Sequence, residues 1–485
     1  MAFFSVKFIL FFSAVFIVYF AVPKKHRYIW LLAASYVFYA FFSIKYVAVL
    51  AAVTAVSYTA ARLMGKINKK LCLALGISIS LAILVLFKFW QFWAQGLYTL
   101  FGITDKASGG LITLLAPVGI SFFVLEAIGY LADVYKGKVE CEKNIAKYAL
   151  FLSFFTKVVS GPIERSTNLL KQIQNGTEFS QIGVKRGFLS VLWGYCLKLL
   201  IADRLSIMIS YAFGHYAELT GGALAFAVIL YGIQLYADFS GYSYIALGTA
   251  EMLGFSLCEN FRQPYFAQDI KDFWSRWHIS LSDWLKSYIY IPLGGNRKGK
   301  LRQLINLVIT FIVSGIWHGT GWQFLIWGGI HGLYQVVSKL TFPAKQKLRA
   351  KINIKRDCFS YKAFKALVTF TLVDFAWLFF RAASAGEAVA ILKKIVTELH
   401  LGYTLTEKFY LLNFDASRFV LLLAAIAILF FVDILHEKNI RISEWLEKQN
   451  KLFRMLVYIA IILVLIIGAV HDYGLDASQF IYAQF

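Results

Sequence analysis

The chain has 485 residues, 59% of them hydrophobic and 17% aromatic, with a mean hydropathy of +0.64. Soluble domains contain about 45–50% apolar residues, so this composition excludes a soluble multidomain protein. The net charge of +22 is compatible with nucleic-acid binding, but the basic residues lie in short loops between apolar segments. That placement follows the positive-inside rule, so we expect contact with membrane lipids and no nucleic-acid partner.

Apolar segments recur from Val6 to Gly468 without a Gly-, Ser- or Pro-rich linker. The first has no small-residue cleavage site and a second follows at once, so it is predicted to be a retained helix. We predict a single-domain, all-α polytopic membrane protein over residues 1–485, with about eleven to thirteen transmembrane helices. The predicted spans are 6–22, 28–43, 46–62, 71–96, 112–132, 187–201, 222–237, 303–317, 322–338, 364–380, 418–434 and 455–470.

Two further segments do not fit the spanning pattern. Tyr148–Val159 is apolar but short and has polar flanks, which fits a re-entrant segment. Tyr265–Leu293 alternates tryptophans with charged residues. That alternation is typical of amphipathic helices that lie at the membrane interface or dip into the protein.

Basic residues divide unequally between the two sides of the membrane over the first five predicted spans. Eleven lie in the connections on one side and two, Lys45 and Lys106, lie on the other. Because basic loops stay in the cytoplasm, the N-terminus is predicted to be outside. The eleven are Lys24, Lys25, Arg27, Arg62, Lys66, Lys69, Lys70, Lys136, Lys138, Lys143 and Lys147.

Cysteine usage gives no sign of a metal site. The five cysteines, Cys72, Cys141, Cys196, Cys258 and Cys358, are scattered without CxxC or other ligand spacing. The pattern argues against a disulfide framework and against zinc, and we predict no metal.

Two histidines are the candidates for chemistry. His318 lies in the apolar stretch Ile305–Gly319, where an ionisable side chain costs about 2.5 kcal/mol or more to insert. His278 lies in the aromatic and charged block Asp272–Asp283. The structural alternatives are a core hydrogen bond for His318 and an orienting bond to a backbone carbonyl for His278. His331 is expected to serve in packing.

A set of polar motifs resembles one family. The motifs are APVGISFF (116–123), YLADVYKG (130–137), SGPIER (160–165), IADR (201–204), YADFSGYSYIALG (236–248), ENFRQPYFAQDIKDFWSRWHISLSDWLKSYIYIPLGGNRKGK (259–300), WHGTGWQFLIWGGIHG (317–332), WLFFRA (377–382) and FIYAQF (480–485). Together they resemble the membrane-bound O-acyltransferase (MBOAT) family and, within it, the bacterial alginate O-acetylation branch. The signature core runs from about residue 117 to 332. The string IPLGGNRKGK separates the chain from the branch that moves D-alanine onto teichoic acids.

The resemblance implies helices arranged around a central chamber, with His318 in WHG as the essential histidine and His278 in RWHISLS at the second signature position. Imidazole titrates near neutrality, so it can take a proton from a hydroxyl as a thioester is attacked, or carry the acyl group itself. The residue types allow either role. Tyr244 stands where an acidic residue is expected in DFSGYSD, so Asp238 is the carboxylate that this motif retains.

The resemblance further implies an O-acyltransferase that takes an acetyl group from cytoplasmic acetyl-CoA and passes it across the bacterial inner membrane. The acceptor is an extracytoplasmic polysaccharide such as alginate or cellulose. No tightly bound cofactor is implied, and a periplasmic acyltransferase or esterase-like partner completes the transfer. The alternatives are peptidoglycan O-acetylation, D-alanyl transfer to teichoic acid, and a non-catalytic transporter or scaffold. A transporter is disfavoured because no broken spans recur in two matching halves.

Residues around the histidines are expected to line the chamber. They are Asp238, Ser240, Trp274, Arg276, Trp277, Asp283, Trp317 and Trp322. Asp238, Phe239 and Ser240 are predicted to end the apolar run in a kink-permissive DFSGYS turn. An intramembrane aspartate either pairs with a cation or lines a wet cavity.

A loop between the two histidines is the predicted donor site. A CoA thioester carries phosphates, and Gly294 and Gly295 are followed by Asn296, Arg297 and Lys298. This loop offers backbone N–H groups beside cations, which together can hold a phosphate. The alternative is that the cations only anchor the loop under the positive-inside rule.

Overall fold

The computed structural model describes residues 1, 3–90, 116–399 and 416–469. The FIYAQF motif, Lys106 and parts of the predicted spans 71–96, 112–132 and 455–470 lie outside these residues. The described chain consists of helices and their connections, and it contains no strand. The predicted all-α fold is therefore confirmed.

The helices in chain order are α1 (Val6–Ala21), α2 (Arg27–Ala40), α3 (Ile44–Leu63), α4 (Lys69–Lys88), α5 (Ile120–Tyr135), α6 (Ile145–Ser153), α7 (Lys171–Asn175), α8 (Gln181–Tyr195), α9 (Asp203–Gly214), α10 (Gly221–Met252), α11 (Ile270–Arg276), α12 (Ile279–Leu285), α13 (Lys300–His318), α14 (Trp322–Lys351), α15 (Phe359–Arg381), α16 (Ala385–Thr397), α17 (Ala416–Glu437), α18 (Ile442–Glu447) and α19 (Lys451–Gly468). Wider π-helical turns occur at Ser166–Leu170, Cys196–Ala202 and Lys286–Tyr290, and tighter 3₁₀ turns at Lys24–His26 and Pro264–Phe266. Turns of the π type are frequent at functional sites.

Seven of the described helices are long and apolar enough to cross a membrane: α3, α4, α10, α13, α15, α17 and α19. Each of the seven overlaps a predicted span. The other predicted spans correspond to α1, α2, α5 and α8, which have 14 to 16 residues, and to the longer, more polar α14. The protein is therefore a multi-pass membrane protein.

The described residues pack as two compact units. The first contains Met1–Phe188 and Ile245–Cys258, and the second contains Leu189–Tyr244 and Glu259–Phe485. These units are defined by packing within one chain. The assignment of one acyltransferase domain to residues 1–485 stays a prediction.

Glycines bring α13 and α14 of the second unit into backbone contact. A Cβ atom at Gly315 would lie 2.3 Å from the carbonyl oxygen of Phe324, and one at Gly328 would lie 2.4 Å from that of Phe311. Only glycine permits this approach, and small residues at helix contacts are how membrane helices associate. The contact holds the end of α13, which carries His318, against α14.

The DFSGYS motif does not form the predicted turn, and that prediction is wrong. Helix α10 continues for 32 residues from Gly221 to Met252. The Ser240 hydroxyl donates to the carbonyl of Tyr236 at 2.5 Å, so the side chain is satisfied within the helix. A Cβ at Gly241 would lie 3.0 Å from the carbonyl oxygen of Gly194, so this glycine serves close packing.

The two segments that do not fit the spanning pattern consist of short elements. Helix α6 has nine residues, and the chain from Tyr148 to Ile163 is buried. Within Tyr265–Leu293, helices α11 and α12 have seven residues each. None of these helices is long enough to cross a bilayer, since spanning requires about 20 residues.

Adjacent glycines in α14 give a matched test of the backbone contact. Gly328→Ala should destabilise the protein by about 1–3 kcal/mol, because its Cβ meets a carbonyl oxygen that has to move. At Gly329 a Cβ would meet only a methyl group of Ile312 at 3.8 Å. Gly329→Ala should leave the melting temperature unchanged or raise it, since alanine is about 1 kcal/mol better than glycine in a helix. Equal melting temperatures for the two variants in detergent would contradict the proposed contact.

Candidate active site

His318 lies at the end of α13, enclosed by aromatic rings. Its side chain is 3% exposed. The imidazole packs edge-to-face against three rings, with centroid distances of 4.8 Å to Trp317, 4.9 Å to Trp327 and 5.1 Å to Phe380. Helix α13 ends here because Gly319 adopts an extended conformation after donating its N–H to Gly315. The motif WHG therefore places the histidine at a helix end within an apolar cage.

The cage around His318 is completed by the WLFFRA motif of α15. Trp377 stacks on Trp327 at 5.9 Å and 18°, and Phe380 packs on both indoles at 5.4 and 5.2 Å. Sequence reasoning quoted this motif for the resemblance but assigned it no site residue. A helix period places residues 377 and 380 on one face, which is the signal that was available.

His278 lies in a strained turn between α11 and α12. Its backbone is left-handed, with φ of +42°, which is uncommon for a residue other than glycine. The turn is held from outside, since Ile279 N–H donates to the carbonyl of Asn260 and the Ser280 hydroxyl donates to the Asn260 side chain at 2.6 Å. Asn260 therefore joins the ENFRQ and RWHIS parts of the long motif.

The His278 imidazole is fully buried, and the edge-to-face ring of Phe239 lies 4.6 Å away. Burial lowers the pKa of His278 to about 3. The imidazole is therefore neutral at physiological pH. A neutral imidazole has one nitrogen that can accept a proton and one that can donate a hydrogen bond.

The two histidines contact the same indole. The ring centroid of Trp317 lies 6.0 Å from that of His278 and 4.8 Å from that of His318. The structure therefore brings together the two candidate histidines, with Trp317 from the predicted chamber lining, although His278 and His318 are 40 residues apart in the sequence. The Trp317 indole thus contacts both imidazoles, and the three rings form a compact cluster in an apolar setting. In this cluster an imidazole is the group that can transfer a proton.

His331 belongs to the same cluster, beyond the packing role expected from sequence. Its Nδ1 accepts a hydrogen bond from the Trp274 indole at 3.2 Å, and its ring lies 5.0 Å from Trp327. The proton of neutral His331 is therefore on Nε2. Among the described residues, this Nε2 and the indole nitrogens of Trp327 and Trp377 have no hydrogen-bond partner. Three buried N–H donors near His318 are thus left for an acceptor.

Asp238 lies in a buried ion cluster of the second unit. Its carboxylate accepts from Lys198 Nζ at 2.7 Å, and the same ammonium lies 2.8 Å from Asp203. Lys198 comes from a π-helical turn, and sequence reasoning missed it, although a lone lysine within the predicted span 187–201 is an available signal. The structure thus gives Asp238 the cation partner that the sequence left as one of two options.

A second buried carboxylate stands close to Tyr244, where the motif lacks an acidic residue. The Asp433 carboxylate of α17 accepts from the Tyr236 hydroxyl at 3.0 and 3.2 Å.

Arg276, predicted to line the chamber, pairs with Asp272 at 2.8 Å and with Glu437 at 2.7 Å. Its guanidinium therefore links α11 to α17.

The remaining chamber candidates occupy different settings. Trp277 is fully buried and stacks on Phe273 at 5.6 Å. Trp322 is 72% exposed at the start of α14, and Phe324, rather than Trp322, packs against Phe380. Asp283 is exposed on α12. The Ser240 hydroxyl is used within α10, as described above. The chamber assignments of these residues stay predictions.

The donor loop differs from its sequence description in one respect. Backbone N–H groups of Gly294, Gly295 and Arg297 donate to carbonyls within the segment 290–297, so the prediction that they are free is wrong. The loop closes on itself because Gly294 and Gly295 adopt positive φ values of 109° and 54°. Asn296, Arg297 and Lys298 are exposed. Binding of phosphate there therefore depends on the side chains.

In the first unit, the GPIER motif serves a structural role. Glu164 is buried, and its carboxylate accepts from the N–H of Cys258 at 2.5 Å and from Asn168 at 2.9 Å. Its own N–H donates to Glu126, which pairs with the buried Lys157. Glu126 therefore takes part in the same buried network.

Comparison with known proteins identifies the class of this site. The profile of the membrane-bound O-acyltransferase family matches residues 141–383. The "Probable alginate O-acetylase AlgI" of Pseudomonas putida is 36% identical, over 79% of this chain and 77% of the relative. The "Peptidoglycan O-acetyltransferase" of Helicobacter pylori is 32% identical, over 76% and 73%. The "Teichoic acid D-alanyltransferase" of Streptococcus thermophilus is 27% identical, over 57% and 71%.

The chain belongs to the MBOAT family. It is a membrane O-acyltransferase, and its resemblance to the alginate O-acetylation branch is confirmed by the identity to the Pseudomonas putida relative. The family match contains both candidate histidines and the rings of Trp327, Trp377 and Phe380.

Proposed function

We propose that this protein takes an acetyl group from acetyl-CoA and makes it available for O-acetylation of an extracytoplasmic polysaccharide. The observation that carries the proposal is the pair His278 and His318 on the single indole of Trp317. The names of the relatives support the acetyl group and a polysaccharide acceptor. The donor and the direction of transfer follow from the resemblance stated above.

In the proposed reaction the imidazole of His318 acts on a thioester. As a general base, it takes the proton of the acceptor hydroxyl while that oxygen bonds to the carbonyl carbon. The carbon–sulfur bond breaks, and the CoA thiolate takes up a proton. As an acyl carrier, the imidazole nitrogen bonds to the carbonyl carbon first, the carbon–sulfur bond breaks and CoA leaves as its thiol. In a second step the hydroxyl oxygen bonds to that carbon, gives up its proton and the carbon–nitrogen bond breaks. In both routes negative charge develops on the carbonyl oxygen.

The unpaired N–H groups of the ring cluster suit that developing charge. Among the described residues, the indole nitrogens of Trp327 and Trp377 and Nε2 of His331 have no acceptor. A buried donor without an acceptor costs about 1–3 kcal/mol. A thioester oxygen would satisfy such a donor, and the bond would strengthen as the oxygen becomes anionic. This supports placing the acyl group beside the ring cluster.

His318 should be essential for transfer. His318→Ala and His318→Gln should each lower acetyl transfer from labelled acetyl-CoA in proteoliposomes by on the order of 100-fold or more, because each removes the base. The alanine leaves a cavity between three rings and can therefore destabilise the protein. The glutamine is close to the histidine in volume, so its effect on activity can be separated from an effect on folding. His215→Ala, at an exposed histidine, is the matched control and should keep full activity.

Full activity of folded His318→Gln would overturn the catalytic assignment of His318. Rapid denaturation of the wild type at neutral pH, where an acetyl-imidazole survives longer than in acid, separates the two routes. Labelled acetyl on the protein that is absent from His318→Gln indicates the acyl carrier, and its absence from both indicates the base. His278→Ala should also be severely impaired, whereas a purely structural role would lower its melting temperature at normal specific activity.

The donor phosphates are proposed to bind at Asn296, Arg297 and Lys298. Replacing Arg297 and Lys298 together with alanine should raise the KM for acetyl-CoA about tenfold, since one lost charged hydrogen bond is worth about 1.5 kcal/mol. The kcat should change little, because cations that hold the phosphates equally in ground and transition states act on KM. The salt dependence of KM should also weaken. An unchanged KM at two ionic strengths would leave the loop as an anchor only. Lys345→Ala with Lys347→Ala, also exposed, is the control.

The proposed location is the bacterial inner membrane, with the N-terminus outside. In a variant without the five native cysteines, Ile67→Cys should be shielded from an impermeant thiol reagent in intact cells, and Phe41→Cys should react. Both residues are exposed and lie in connections on opposite predicted sides. The reverse labelling pattern would invert the orientation.

The last part of the proposal concerns the polymer that receives the acetyl group and the protein that completes the transfer. We propose an exopolysaccharide acceptor and a periplasmic esterase-like protein that completes the transfer. Peptidoglycan is the second candidate, because a relative of that name is 32% identical over most of both chains. Acetyl-ester analysis of exopolysaccharide and of muramic acid from a strain lacking the gene decides between them. Loss of acetyl groups from muramic acid alone would overturn the exopolysaccharide proposal.

A further inference from the structure

A cationic pocket is formed entirely by residues of the first unit. It encloses about 390 Å³ between the 3₁₀ turn after α1, the start of α6 and the end of α7. Four cationic side chains line it: Lys24, Lys25, Arg27 and Lys147. Leu31, Leu150, Ile173 and Phe255 also contribute to its lining. A cationic rim over apolar side chains is suited to an amphiphile with an anionic head.

Two of the cations are held in place by the surrounding backbone. The Arg27 guanidinium donates to the carbonyls of Thr177 at 2.9 Å and Val22 at 3.0 Å, and it lies 5.3 Å from the Tyr19 ring. Lys147 Nζ donates to the carbonyl of Gln174 at 3.3 Å. Because these two side chains are already ordered by their hydrogen bonds, less side-chain entropy is lost when an anion binds to them.

The acidic residues around the pocket do not neutralise it. Glu178 pairs with Lys24 at 2.5 Å, but the two side chains are 76% and 47% exposed, and such surface pairs contribute little. Glu142 accepts from the Gln174 side chain and from the Asn144 N–H instead. The cations therefore exceed the acids at the pocket mouth.

We propose that this pocket binds a phosphate ester anion. Lys24, Lys25 and Arg27 connect α1 to α2, the first two apolar helices, and their positive-inside placement puts them at headgroup depth. Two sources offer this chemistry, an anionic phospholipid headgroup and the phosphates of a CoA thioester. The apolar part of the lining favours the lipid. The proposal does not depend on which acceptor the enzyme uses.

The test uses full-length protein purified in detergent and three soluble probes: dihexanoyl phosphatidylglycerol, dihexanoyl phosphatidylcholine and CoA. Titration of the melting temperature should show saturable stabilisation by phosphatidylglycerol and none by phosphatidylcholine. Lys25→Ala with Lys147→Ala should weaken phosphatidylglycerol binding by on the order of 30-fold, since it removes two lysine charges from beside the anionic headgroup. Lys69→Ala with Lys70→Ala removes two exposed lysines elsewhere and should keep the wild-type response.

Each outcome decides the proposal. Lys25→Arg with Lys147→Arg keeps the charges and should restore binding, which separates anion binding from lost folding. Stabilisation by CoA alone, lost in the alanine pair and kept in the control, supports the pocket and assigns the soluble source. No stabilisation by either anion, or an equal loss in the pocket and control variants, would overturn it. The acyl-transfer rate at saturating donor is a separate readout and should not change in the alanine pair.

Discussion

The backbone contact between α13 and α14 is the constraint on which the histidine cluster depends. Helix α13 is apolar enough to cross a membrane, and helices in lipid associate by close packing more than by the hydrophobic effect. His318 follows Gly315 by three residues, and Trp327 directly precedes Gly328. Because these glycines let the two backbones touch, the imidazole and the indole come to 4.9 Å. A side chain at either glycine would separate the rings that the proposed chemistry requires.

Buried charge positions this site without entering it. Lys198 lies between Asp203 and Asp238, so neither carboxylate is left unpaired in the protein interior. An uncompensated charge at that depth would cost several kcal/mol. The pair with Lys198 fixes α10 at Asp238, and the next residue, Phe239, presents its ring to His278 at 4.6 Å. Asp238 therefore acts on the site through the position of Phe239, which makes it a positioning residue in this arrangement.

Features that depend on one continuous segment of the sequence could be predicted. Contacts between residues that are distant in the sequence could not. Hydropathy located α13 at 303–317 against Lys300–His318, because a span is a property of one continuous segment. It failed at DFSGYS, where a glycine and a serine suggested a turn. Helix α10 continues through this motif, and Gly241 packs against the backbone of α8 at Gly194. The local sequence does not show this contact, because it joins distant positions. Phe380 reaches His318 from 62 residues away, and no periodicity in one sequence connects those two positions.

The hydrogen-bond partners of individual N–H groups also could not be predicted from the sequence. These partners decide which donors are available at the proposed site. The loop glycines at 294 and 295 looked like open donors, but a closed turn uses their N–H groups. The donors that lack partners among the described residues include the indoles of Trp327 and Trp377 and Nε2 of His331, all in the ring cluster. These donors are buried in an aromatic cage, so in the proposed reaction each stabilises a developing oxyanion more than it would in water. Burial also keeps the imidazole of His278 neutral by lowering its pKa to about 3. In the proposed reaction, the same aromatic surroundings thus keep a nitrogen uncharged and bury the donors that face the developing oxyanion.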